Sequence, residues 1–307
     1  MSIWATNSEI ETVLEDQQAP WTDGFWWSGD GLRLHYRDYP GPADRPPLLC
    51  LPGLTRNARD FEGLAARLAG QWRVIAVDLR GRGESAYARD PLSYVPLTYL
   101  QDIKALLDEL QLPRVVAVGT SLGGLLAMLI GAADPGRLAG VVLNDIGPDI
   151  EATGLARIRG HVGVSRNWPT WIHAARDLAA DNAAAFPDYR LEDWLIFAKR
   201  LCRLTPAGRV VLDYDMKIAE PFRLPGGENG VDLWPALDAL KNLPTLLVRG
   251  ALSDILSART AARMRRHLPH MHYCELPRTG HAPTLEEPQA VAAIDALLDE
   301  LLLANGR

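Results

Sequence analysis

Residues 115–133 read VVAVGTSLGGLLAMLIGAA, from Val115 to Ala133, without one charged side chain. A run of that length matches the ~20 apolar residues that cross a bilayer. Its interior argues for something else. Val115-Val116-Ala117-Val118 is short and β-branched, as in a strand buried on both faces of a parallel sheet. Gly119-Thr120-Ser121-Leu122-Gly123-Gly124 would break a spanning helix. Residues 125–133 have helical composition and stop at Asp134-Pro135-Gly136. The stretch therefore predicts a strand, a tight turn and a buried helix.

Within that turn, Gly119-x-Ser121-x-Gly123 has the spacing of a nucleophile elbow. A serine on a sharp strand-to-helix turn takes a strained backbone conformation, and side chains at the flanking positions would strike the adjoining strand and helix. Glycine removes the collision. The turn also puts the hydroxyl at a helix start, where free N–H groups and the helix dipole favour negative charge on a carbonyl oxygen under attack. Such geometry suits acyl transfer.

Outward from the elbow, strand and helix patterns alternate. Phe25-Trp26-Trp27 and residues 32–39 flank Gly29-Asp30-Gly31, the pattern of a hairpin; His35 in its second strand reads as structural. Residues 46–51, 72–78 and 140–145 read as buried strands, and 58–68 and 96–110 as helices. From 147 to 235 the alternation stops, and helical stretches with Trp168, Trp171 and Trp194 take its place. It resumes with strands at 244–249 and 271–276 and helices at 257–268 and 288–303. The expected fold is α/β: a mostly parallel central sheet with helices on both faces, formed by 1–146 and 236–307, and a helical cap inserted as 147–235. Residues 1–20 read as a polar arm or surface helix.

Composition narrows the function. The net charge is −6, with 32 basic side chains scattered among 38 acidic ones, so nucleic acid is not an expected partner. The N-terminus lacks the basic and apolar regions of a signal peptide, so a cytoplasmic location is the default expectation. Cys50, Cys202 and Cys274 are widely spaced and odd in number, which suggests neither disulfides nor a zinc site. The loop Leu79-Arg80-Gly81-Arg82-Gly83-Glu84-Ser85 lacks the spacing of a dinucleotide site. No cofactor and no metal are expected.

An elbow serine needs a base to take its proton and an acid to orient that base. Asp254 follows the strand at 244–249 and His281 follows the strand at 271–276, at the strand ends where open α/β sheets gather ligands. The order Ser121, Asp254, His281 fits the elbow architecture. Asp145 also ends a strand and is the alternative acid.

Leu51-Pro52-Gly53-Leu54, Asp78-Leu79-Arg80-Gly81-Arg82-Gly83-Glu84-Ser85, Gly119-Thr120-Ser121-Leu122-Gly123-Gly124, Arg249-Gly250-Ala251-Leu252-Ser253-Asp254 and Gly280-His281 together resemble the capped α/β-hydrolase fold over about 25–303. The resemblance implies Ser121 as nucleophile, His281 as base, Asp254 as acid, and the backbone N–H groups of Leu54 and Leu122 as the oxyanion hole. Pro52-Gly53 stands where many members have His-Gly, which keeps the backbone donor. A serine at the elbow argues against dehalogenase and epoxide-hydrolase chemistry, which starts from a carboxylate in similar folds. The expected reaction is cofactor-independent hydrolysis of a carboxylic ester or lactone through an acyl-enzyme. The alternative is carbon–carbon bond hydrolysis of ring-cleavage diketones, and a ligand-binding protein with little turnover belongs to a different class. Trp168, Trp171 and Trp194 are candidate substrate contacts, and the cap's few recognisably inward cations point to an apolar small-molecule substrate.

Overall fold

The uncharged run divides as its composition predicts, into a strand over Val115–Thr120 and a helix over Leu122–Ala133 with Ser121 between them. No helix among the described residues is long and apolar enough to cross a membrane. The computed structural model describes residues 19–223 and 232–305. Most of the arm read at 1–20, and residues 224–231 of the segment read as a cap, lie outside the described residues.

In chain order the first half comprises β1 (Thr22–Trp27), β2 (Arg33–Tyr39), β3 (Leu48–Leu51), α1 (Glu62–Leu68), β4 (Val74–Asp78), α2 (Pro96–Glu109), β5 (Val115–Thr120), α3 (Leu122–Ala133) and β6 (Leu138–Asn144). A second group follows: α4 (Ala152–His161), β7 (Asn167–Trp168), α5 (Trp171–Asn182), α6 (Leu191–Leu201), β8 (Cys202–Leu204), β9 (Val210–Leu212) and a 3-10 turn at Met216–Arg223. The chain ends with α7 (Trp234–Asp238), β10 (Thr245–Gly250), α8 (Ala258–His267), β11 (His272–Leu276) and α9 (Pro288–Asn305).

Eight strands form one sheet in the order β1-β2-β4-β3-β5-β6-β10-β11. The β1–β2 hairpin pairs antiparallel, as does β2 with β4, and the remaining pairs are parallel. Side chains alternate between the two faces of each strand. Val115 and Ala117 of β5 pack with α2, α3 and α8 on one face, whereas Val116 and Val118 pack with α1 and α9 on the other. Leu49 and Leu51 of β3 separate from Leu48 and Cys50 in the same way. Helices cover both faces, which is why these strands are continuously apolar.

The segment between β6 and α7 builds a small core of its own from Trp168, Leu178, Phe186, Trp194 and Leu201. It differs from the expectation of helices alone, because β7, β9 and β8 form a three-stranded antiparallel sheet. The helix that carries Trp194 ends at Leu201, and Cys202–Leu204 directly after it is a strand. Strands of two or three residues are too short to show a period in sequence.

The hairpin is pinned by His35, which is buried and takes Asp78 at 2.7 Å on Nδ1 and Asp23 at 2.9 Å on Nε2. Burial disfavours its charge, but hydrogen bonds and the charges of Asp78 and Asp23 prevail and raise its pKa. A raised folded-state pKa adds stability that is complete below the unfolded value of about 6.5 and is lost as pH rises through the folded value. His35→Gln is therefore expected to cost on the order of 1–3 kcal/mol near pH 6, with the gap to wild type narrowing above neutrality. Urea denaturation of both proteins across that pH range checks it, and a gap that widens with pH would contradict the assignment.

Candidate active site

Ser121 joins β5 to α3 with φ 53° and ψ −115°, a conformation rare for a residue with a side chain. Strain of this kind costs roughly 1–3 kcal/mol and persists only where the surroundings enforce it. The enforcement is visible. Ser121 N–H donates to Asn144 O at 3.0 Å, and Ser121 O accepts from Gly124 N–H at 2.9 Å and Leu125 N–H at 3.2 Å. A Cβ on Gly123 would lie 1.9 Å from Leu51 O, and one on Gly119 would lie 2.3 Å from Gly123 O. Both positions require glycine because strand and helix backbones pass in contact there.

His281, in the loop after β11, sets Nε2 2.9 Å from Ser121 Oγ. Its Nδ1 lies 2.8 Å from Asp145 Oδ2. Asp145 directly follows β6 and is fully buried. Its carboxylate also accepts from Gly250 N–H at 2.9 Å and from Ser253 Oγ–H at 2.6 Å. Three hydrogen bonds compensate the burial of the charge. Asn144 ties the neighbourhood together by donating through Nδ2 to Thr120 Oγ1 at 3.0 Å and Pro283 O at 2.9 Å.

The structure corrects the expectation that Asp254 lies against His281. Asp254 is half-buried and receives Arg157 Nε at 2.6 Å and Nη2 at 2.9 Å, from α4. Burial opposes its charge, but the Arg157 guanidinium holds its carboxyl below the ordinary range. The reason for the correction is topological. β6 and β10 are neighbours in the sheet, and Asp145 N–H bonds Val248 O, so aspartates following either strand start beside the histidine loop. Loop packing then gives one to His281 and the other to Arg157.

The Pro52-Gly53-Leu54 turn runs against the elbow: a Cβ on Gly53 would stand 3.7 Å from Ser121 Cβ. Leu122 opens α3, where backbone N–H groups have no intrahelical acceptor. Gly53, Leu54, Ser121 and His281 floor a cavity of about 470 Å³, and Ile158, Leu178, Tyr189, Ile196, Phe197 and Tyr214 wall it from the inserted segment.

Trp168, Trp171 and Trp194, expected at the substrate, pack instead in the inserted segment's own core. Trp194 stands T-shaped to Phe197 and Phe186, and Trp168 Nε1–H donates to Asp177. The expectation of few inward cations in the cap is also corrected, since Arg157, Arg166 and Arg200 line the cavity, together with Arg56 from the turn after β3. Each carries a carboxylate partner: Asp254, Asp181, Glu286 and Asp60 respectively. Arg56 additionally lies 4.6 Å over the Phe197 ring. No single helical period marks Arg157, Arg166 and Arg200 as inward, because they come from α4, the loop after it and α6. Among the described residues no group of His, Cys, Asp or Glu is arranged to hold a metal ion.

A family model described as "Alpha/beta hydrolase family" matches residues 48–294. The chain is similar to a 3-hydroxybutyrate-oligomer hydrolase of Cupriavidus necator, 32% identical over 269 residues that cover 85% of this chain and 90% of that protein. It is 29% identical over 256 residues to 2-(acetamidomethylene)succinate hydrolase of Mesorhizobium japonicum, covering 83% and 88% of the two chains. Among solved structures, an alpha/beta hydrolase of Novosphingobium aromaticivorans shares 56% identity with a TM-score of 0.89, over 92% of this chain and 99% of that one.

Proposed function

Since the chain belongs to the α/β hydrolase family, we propose that it is a serine hydrolase that cleaves a carboxylic ester or lactone through an acyl-enzyme on Ser121. One observation supports this most strongly: the continuous hydrogen-bonded path from Ser121 Oγ through His281 to Asp145, with steps of 2.9 and 2.8 Å, at the floor of a cavity. His281 Nε2 takes the serine proton as Oγ attacks the substrate carbonyl, and the N–H groups of Leu54 and Leu122 receive the oxyanion. The proton passes to the departing alkoxide. A water, deprotonated by the same nitrogen, then releases the acid. Asp145 keeps Nδ1 protonated and stabilises the imidazolium in both halves of the cycle.

In this reading the inserted segment caps the site, and its helices α4, α5 and α6 shape the substrate space. The relative named for 3-hydroxybutyrate oligomers, which are esters, favours ester cleavage over carbon–carbon cleavage. Every guanidinium of the wall already has a carboxylate partner, and Asp193 and Glu287 add acidic groups to the lining, so the wall favours a neutral substrate over an anionic one. A short, uncharged acyl group suits such a wall.

The test has two parts. A fluorophosphonate is expected to label Ser121 stoichiometrically, because only a base-activated serine beside oxyanion donors reacts quickly with it. Peptide mapping reads the site, and an unlabelled Ser121 in folded protein defeats the reading. A panel of p-nitrophenyl esters, 3-hydroxybutyrate dimers, lactones and vinylogous diketones is then expected to show turnover of the esters. Turnover of the diketones alone would move the assignment to carbon–carbon hydrolysis.

A further inference from the structure

Arg80 and Arg82 share the loop after β4, and both are buried to 1% exposure or less, yet they are treated differently. Arg80 is paired with Asp102 and Asp30. Arg82 forms no ion pair among the described residues, and its Nη2 is buried without a hydrogen-bond partner. Its other contacts are neutral. Nε donates to Leu54 O at 2.8 Å and Nη1 to Arg80 O at 2.6 Å, and the guanidinium lies 4.8 Å over Tyr99 and 5.7 Å from the Tyr94 ring centroid.

The nearest carboxylate the structure ties to it is indirect, Asp215 on the far side of the Tyr94 hydroxyl, and an enclosed cation without a carboxylate in contact is costly, a cost that aromatic faces and carbonyls offset only in part. The residue it grips is Leu54, in the turn that touches Ser121. We propose that Arg82 is a positioning residue of the oxyanion hole. It fixes the Leu54 carbonyl by hydrogen bonding, and with it the turn that carries the Leu54 N–H, and sets a positive charge that no carboxylate contacts beside that turn. A further negative charge arrives with the tetrahedral intermediate, so the guanidinium favours the transition state over the neutral ground state. The inference rests on the serine-hydrolase reading, and absent fluorophosphonate labelling of the wild type would remove that reading before Arg82 is altered.

Arg82→Met and Arg82→Lys test it, with active sites counted by fluorophosphonate. Removing an oxyanion donor outright costs about 10²–10³ in kcat, and loss of its support is expected to cost about 10–100-fold in Arg82→Met, with KM for a neutral ester within about threefold of wild type. Affinity for a boronic acid, whose adduct is an anionic tetrahedron, should fall in parallel, while affinity for a neutral amide analogue stays unchanged. Arg82→Lys retains the charge but not the guanidinium fork and should lie between the two. Folded variants with wild-type kcat and boronic-acid affinity would overturn the proposal. So would failure of both variants to fold, which would assign Arg82 to structure alone.

Discussion

Asp145→Asn is expected to lower kcat by about 10³–10⁴-fold while leaving the protein folded, because the amide cannot hold Nδ1 of His281 protonated or stabilise the imidazolium. The buried site sharpens this. Gly250 N–H and Ser253 Oγ–H also point at the carboxylate, so one becomes mismatched with the amide NH₂, and a loss of about 1–3 kcal/mol in stability should accompany the kinetic effect. Asp254→Asn should behave differently. It weakens a half-exposed pair with Arg157, worth roughly 0–1 kcal/mol, and should change kcat by less than about tenfold. Steady-state kinetics with active-site titration, together with thermal unfolding of both variants, reads the contrast. A reversed order of the two kcat losses would return the role of acid to Asp254.

Ser121→Ala should have the largest effect, a fall in kcat of roughly 10⁶-fold together with loss of fluorophosphonate labelling. His281→Ala should approach the same loss, and the double variant should fall little further than either single change. Residues that act as a unit are non-additive, since a nucleophile without its base and a base without its nucleophile are equally idle. Ser121→Ala should also retain stability, because the change keeps the Cβ and removes one part-buried side-chain hydrogen bond, to His281. Multiplying single losses in the double variant would show that the two side chains act independently, contrary to their 2.9 Å hydrogen bond.

Much of this molecule was legible in its chain. The uncharged run from Val115 could be divided because β-branched residues, glycines and a Pro-Gly stop impose local backbone choices that act within a few residues. The elbow was legible for the same reason: only glycine tolerates the contacts at Gly119 and Gly123. His281 was found because it follows a strand whose end faces the serine. The inserted segment was legible as a break in alternation, but its three-stranded sheet was not, and its tryptophans proved to be the segment's own core.

By itself, then, the sequence determined the sheet, the elbow and the candidate nucleophile and base, because each follows from short-range sterics and from apolar residues that must be covered on both sides of a strand. Tertiary structure alone decided which aspartate meets His281, which side chains wall the cavity, and that, among the described residues, Arg82 forms no ion pair where Arg80 forms two. Asp145 and His281 are 136 residues apart, and Arg157 and Asp254 are 97 apart. Strand order brings both aspartates to one edge of the site, and the choice between them rests on how the loops and α4 pack there, a balance of a few hydrogen bonds that no local pattern encodes.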